Sequence, residues 1–174
     1  MIICSHITKI NFTVFERGRF IMTTAMYDFM APITGKCVPI DALHSDLLGD
    51  KVLGEGVSIL PTENTVVAPC DGLISRVSES NRTVTFLDTE HNLEILMEAN
   101  TDSEHASFVL HVRAGEAVKA GTALFSCNVT DIQARGGRVD VSCIVTNLPT
   151  KEVHVNCGDV VRGETCILSC ECAC

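Results

Sequence analysis

From Ala31 onward the chain is written in short apolar runs separated by glycine, asparagine, aspartate and proline. That is the punctuation of an all-β domain, in which side chains alternate between two faces and turns recur every few residues. Strands are expected over Lys36–Ile40, Gly56–Pro61, Thr65–Ala68, Gly72–Val77, Thr83–Leu87 and Leu93–Glu98. Four more are expected over Ala123–Cys127, Val139–Thr146, Lys151–Val155 and Cys166–Cys172. No segment carries a sustained period of 3.6, so only very short helices are predicted, over Asp41–Leu47 and over Ile132–Arg135 with Asp131 as N-cap.

Two stretches resemble each other, Arg113–Phe125 and Val155–Leu168. Each sets a glycine turn (Gly115 or Gly158), an apolar residue (Val118 or Val161) and a second glycine (Gly121 or Gly163) before an outgoing strand, and glycine supplies the positive φ of such turns. With the turn Ala68-Pro69-Cys70-Asp71-Gly72, the pattern predicts a Greek-key or jelly-roll-like β-sandwich with pseudo-repeated hairpins. Biotinyl and lipoyl carriers share such a sandwich, but they present a lysine at a hairpin tip, commonly between methionines. No lysine in that setting lies between Val67 and Gly121.

At 174 residues the chain is long enough to bury a core without disulfides or a metal. A net charge of −9, from 13 basic and 22 acidic residues, argues against nucleic acid or an anionic membrane as partner. The ten cysteines would suggest an exported disulfide framework, but Lys9, Glu16, Arg17 and Arg19 interrupt the N-terminal apolar residues and no export signal is legible. No apolar run approaches the roughly 18 to 20 residues of a membrane span, so direct membrane insertion is not expected. The reading is therefore a cytoplasmic protein with reduced thiols, most of them small buried apolar groups. Residues 1–21 look unrelated to the rest and are expected to be an extension, disordered or not native, with Met22 as an alternative start; 22–174 form the domain.

Five motifs then occur in order: Ala31-Pro32-Ile33-Thr34-Gly35; the stretch Asp46–Pro61; Val67–Ile74; Ser107-Phe108 through Val112, Gly115, Val118 and Gly121; and Gly158–Thr165. Together they resemble the glucose-type enzyme IIA domain of the bacterial phosphoenolpyruvate-dependent sugar phosphotransferase system, from about Ala31 to Cys170. The resemblance implies a β-sandwich of the duplicated hybrid motif type, no cofactor, and a phosphoryl carrier. In the family one histidine takes the group from the phosphocarrier protein and passes it to a IIB domain, and a second histidine on the neighbouring strand hydrogen-bonds the first. The supporting histidine follows Thr-Asn in the family, and the matching residues here are Ser80, Asn81 and Arg82. The accepting histidine matches Glu98 within Leu93–Asp102, or Met97 if the match slips by one. Both histidines are replaced.

Phosphoryl acceptance needs a neutral nucleophile with a lone pair directed at phosphorus. Arginine stays protonated and has no such pair, and a glutamate starts as an anion facing an anionic donor. The chain therefore reads as an enzyme IIA-like component that carries no phosphate and acts as a regulatory or interaction module, toward the phosphocarrier protein, IIB or transporter domains, or a regulated target. Two alternatives stand beside it: an active carrier using Glu98 or His91, and a thiol or metal-binding protein using Cys170, Cys172 and Cys174, which alternate on a strand and so share a face. For that tail, core filling by Cys166 and Cys170 with an exposed end is the reading preferred over a metal site. His44, His105, His111 and His154 are scattered singly and read as surface or satisfied histidines. The docking surface implied by the resemblance comprises Asp46, Leu47, Leu48, Phe86, Leu96 and Asp102, with Val84 adjoining. Arg82 and Glu98 are expected to form an ion pair in a shallow depression, with Ser80 hydrogen-bonding the glutamate.

Overall fold

A computed structural model describes residues 7–11, 24–43, 54–80, 82–147 and 153–173. In chain order the strands are β1 (Ile7–Asn11), β2 (Thr24–Met30), β3 (Gly35–Pro39), β4 (Glu55–Pro61), β5 (Thr65–Val67), β6 (Gly72–Ser78), β7 (Thr83–Asp88) and β8 (Leu93–Thr101). They continue with β9 (Phe108–Leu110), β10 (Ala117–Val118), β11 (Ala123–Cys127), β12 (Val139–Val145), β13 (Val153–Val155), β14 (Gly158–Val160) and β15 (Cys166–Ala173). The one α-helix among the described residues, α1, spans Val129–Ala134, and a single 3-10 turn spans Ile40–Ala42.

Eight strands form one antiparallel sheet in the order β10-β6-β7-β8-β12-β4-β3-β14; the others form a four-stranded sheet, β1-β2-β15-β13, and a three-stranded one, β5-β11-β9. The inner faces share one core, with Phe29 from β2, Phe86 from β7, Phe125 from β11 and Leu168 from β15 all fully buried. This is the expected all-β sandwich. Strand β8 shows why: Leu93, Ile95, Met97 and Ala99 are buried, while Glu94, Leu96, Glu98 and Asn100 alternate with them at intermediate exposure.

The pseudo-repeat is a device built twice. Gly121 N–H donates to the Ala68 carbonyl (2.8 Å) and Gly163 N–H to the Ala31 carbonyl (2.9 Å). In return Ala68 N–H donates to Thr122 O and Ala31 N–H to Thr165 O, each at 2.8 Å. Both Ala-Pro turns are thus held by a glycine turn from a distant part of the chain. The buried member of the second copy is Val160, 3% exposed, and not Val161, which is 47% exposed; the expected register was off by one. The glycines at φ +84 (Gly121) and +73 (Gly163) have open space where a Cβ would stand, so only conformation resists substitution. Gly163→Ala is expected to lower stability by about 1 kcal/mol, the cost of holding an L-residue in the left-handed region, read as a lower denaturant midpoint with an unchanged slope.

Three other differences from expectation have local causes. Helix α1 begins at Val129 with Asn128 at the N-cap position, so Asp131 lies inside its first turn, paired to Arg135 at 3.2 Å. The first short helix shrinks to the 3-10 turn 40–42, and the rest of that prediction falls outside the described residues. Strand β2 was not expected, and β1, within the stretch set aside as an extension, pairs with it antiparallel.

Candidate functional site

The β7–β8 hairpin positions the two replaced residues. Its register sets Thr83 opposite Glu98, and on the other side β12 sets Ser142 opposite Glu98. Met97 is fully buried and Glu98 lies on the opposite, outer face, so of the two residues only Glu98 is presented outward by the pleat.

On this same face runs a polar network between β4, β8 and β12. Ser58 and Ser142 are both buried and their hydroxyls lie 2.9 Å apart. Asn100 Nδ2 donates to Ser142 Oγ (3.1 Å) and to Asp140 Oδ2 (3.2 Å). Among the described residues no buried side-chain polar atom lacks a partner, so the network is satisfied and holds the outer face of β8 in place.

Arg82 stands at the mouth of the hairpin at φ +55, outside the ordinary region for an L-residue. Its carbonyl accepts from Ala99 N–H (3.1 Å), which anchors the turn to β8, and its Nε donates to the Ala99 carbonyl (3.2 Å). On the same turn, Ser80 Oγ is 3.3 Å from Ser78 Oγ. The stem of Arg82 is thus tied to the backbone of β8, the strand that carries Glu98. The left-handed turn sets the direction of the arginine stem, which strand alternation does not.

The Arg82 side chain borders a cleft of about 390 Å³ shared with Asn100, Asp102, Arg138 and Asp140, with Leu43 and Leu60 as its apolar side. Asp102 Oδ1 accepts from Arg138 N–H (2.7 Å) and Oδ2 from Arg138 Nε (3.2 Å). These bonds, the backbone one first, hold its carboxyl below the usual carboxylate range. Asp102 is thus exposed, as a docking residue would be, and already engaged.

Of the other expected docking residues, Leu96 is at intermediate exposure on the Glu98 face of β8. Phe86 and Val84 are corrected: both are 0% exposed and belong to the core, because they share the inward phase of β7. Asp46, Leu47, Leu48 and His44 lie outside the described residues. Sequence reasoning missed Arg138, Asp140 and Ser142; the available signal was the polar alternation Asp140, Ser142 within an otherwise apolar strand.

His91 lies at the opposite end of the hairpin, where Asp88 pairs with Leu93. Five residue pairs separate it from the Thr83–Glu98 pair, about 17 Å at the rise of a strand. Its Nδ1 is 2.7 Å from Asp88 Oδ2 and its ring stacks on Tyr27 at 3.8 Å, leaving the side chain 13% exposed. His105 and His154 are exposed, and His111 Nε2 is 2.7 Å from Ser126 Oγ. No group of three or more histidine, cysteine, aspartate or glutamate side chains that could hold a metal occurs among the described residues. Cys170 is 2% exposed and points into the core, whereas the side chains of Cys172 and Cys174 lie outside the description. No helix among the described residues is long and apolar enough to cross a membrane.

Residues 27–151 match the family described as phosphoenolpyruvate-dependent sugar phosphotransferase system, EIIA 1. The PTS system glucose-specific EIIA component of Oceanobacillus iheyensis is 30% identical over 144 residues, covering 80% of this chain and 87% of that protein. The PTS system glucosamine-specific EIICBA component of Bacillus subtilis is 29% identical over 128 residues, 72% of this chain and 20% of that protein. Among solved structures, glucose permease IIA from Mycoplasma capricolum is similar in fold, with a TM-score of 0.72 at 21% identity over 83% of this chain and 95% of that one.

Proposed function

The chain belongs to the EIIA 1 family of the phosphoenolpyruvate-dependent sugar phosphotransferase system, and we propose that within it this domain docks with phosphotransferase components without carrying the phosphoryl group. The observation that carries the reading is Glu98 on the outer face of β8, with Arg82 at the mouth of the same hairpin and, among the described residues, no histidine on β7 or β8. A carboxylate meets the incoming dianionic phosphoryl donor as a like charge, and the guanidinium has no lone pair to offer. His91, about 17 Å along the hairpin at the rise of a strand, is too far away to take over at the same docking geometry.

The surrounding architecture favours interaction over simple loss. The network flanking Glu98 on β8 and β12 is fully bonded and the cleft beside Arg82 retains an apolar side in Leu43 and Leu60, which are 42% and 38% exposed. The partners are taken from the family: the phosphocarrier protein and IIB or transporter domains. The role is then regulatory, set by occupancy of a shared partner and not by turnover.

The test is incubation with phosphoenolpyruvate, enzyme I and phosphocarrier protein, followed by intact mass, alongside a binding titration with the phosphocarrier protein. No mass gain with measurable binding is expected. A stoichiometric gain of one phosphoryl group that disappears in Glu98→Gln or His91→Gln overturns the reading in favour of an active carrier. Absence of both phosphorylation and binding removes the docking role.

A further inference from the structure

At the edge of the large sheet two thiols meet. Cys37 sits on β3, 1% exposed, and Cys157 immediately precedes β14. The register sets Gly158 opposite Cys37. Gly158 adopts φ +125, a backbone conformation outside the ordinary strand region, immediately after Cys157. The Cys157 side chain lies near enough to act on the Cys37 thiol. The described cysteines, 37, 70, 127, 143, 157, 166 and 170, are all free thiols, and among them Cys157 alone is exposed.

An exposed thiol near a buried one is the arrangement of an attacking and a resolving cysteine. We propose that Cys157 and Cys37 form a reversible disulfide in response to a peroxide, riveting the edge strand β14 to β3. The Cys157 thiolate attacks one peroxide oxygen, the O–O bond breaks and hydroxide departs, leaving a sulfenic acid at Cys157. Cys37 sulfur then attacks the Cys157 sulfur, its proton leaves with the hydroxyl as water, and the S–S bond replaces the S–O bond. Two thiols are oxidised by two electrons and one hydrogen peroxide is reduced to two waters; an external thiol reverses the step by exchange.

The order of events follows from position. Burial, with the Cys157 side chain near it, pushes the Cys37 thiol up to about 12, so Cys37 is protonated and shielded and is not the first target. Strand β14 is joined to the sheet through β3 alone, over three residue pairs, so the crosslink adds a covalent tie at a short edge of the sheet. Strand β3 leads directly into the 3-10 turn 40–42 and Leu43, so the tie fixes the strand that feeds the apolar side of the Arg82 cleft.

The test is treatment of the native, fully reduced protein with hydrogen peroxide, blocking of remaining thiols with a maleimide, and peptide mapping. The expected result is a peptide pair joined through Cys37 and Cys157, with the mass of two hydrogens lost and restored by dithiothreitol. In Cys157→Ser the pair is absent; in Cys37→Ala, Cys157 proceeds instead to stable higher oxides. If Cys37→Ala fails to fold, the wild type and the surface variant Cys157→Ser decide alone. Accumulation of sulfinic acid at Cys157 in the wild type with Cys37 still a thiol, or linkage of Cys157 to any other cysteine, overturns the proposal.

Discussion

Replacing Arg82 and Glu98 together by histidine is expected to turn a chain that gains no phosphoryl group into one that gains it stoichiometrically from phosphocarrier protein, enzyme I and phosphoenolpyruvate. Position 82 immediately precedes β7, whose Thr83 pairs with Glu98 on β8, so under the proposed reading two imidazoles would stand close together there. Histidine tolerates the left-handed conformation of Arg82 better than most residues. It is also too short to repeat the Nε bond to the Ala99 carbonyl, which leaves the ring available to its neighbour. A neutral imidazole at position 98 supplies the missing nucleophile, and the second stabilises the charge arriving with the group. Glu98→His alone should be phosphorylated more slowly, because Arg82 remains directed at the backbone. Intact mass over time separates the cases. A double variant that keeps its fold and still takes up nothing would place the block in the docking surface and not in these two residues.

Much of the architecture was legible because alternation is a direct imprint of the pleat. In Leu93–Thr101 every second residue is buried, and the same phase that hides Met97 presents Glu98. What escaped were strands whose signal is short. Strand β14 is three residues long and its neighbour Val161 is as apolar as Val160, so only the chain's path around Gly158 decides which valine is inside. Strand β2 was legible and unread: Tyr27 and Phe29 are buried while Asp28 lies between them, a clear alternation just before Ala31.

The site was legible in its residue types and not in its directions. Phe86 and Val84 share a phase with the core and could have been assigned inward from the pattern Val84-Thr85-Phe86, had alternation been given precedence over the resemblance. The course of Arg82 could not, because a left-handed turn has no fixed side-chain phase. Nor could the Arg138–Asp102 contact, which joins residues 36 apart in sequence through the antiparallel register of β8 and β12.

The cysteine content has a thermodynamic consequence as large as any single core truncation. Cys37, Cys70 and Cys143 are at most 1% exposed, and burial pushes all three thiols up, Cys37 to about 12 and the other two higher. Lesser contributions come from the Cys157 side chain at Cys37, from Asp88 and Asp71 at Cys70, and from Cys37 and Cys170 at Cys143. In the unfolded chain each thiol loses its proton around its ordinary value of 9.0, while in the folded chain it keeps it. Above that value the unfolded state binds fewer protons, so the stabilisation is complete below pH 9 and declines as pH rises toward the folded values. Each thiol contributes a slope of about 1.4 kcal/mol per pH unit, so the three together cost on the order of 4 kcal/mol by pH 10. Against a typical domain stability of about 5–15 kcal/mol, that brings the protein close to unfolding in mild alkali. Denaturant midpoints measured from pH 8 to pH 10 with a non-thiol reductant present should fall steeply. In Cys143→Ala the fall should be shallower by about 1.4 kcal/mol per pH unit, one thiol's share, since titrations common to both proteins cancel in the difference. Equal slopes in the two proteins would mean that Cys143 does not hold its proton in the folded core.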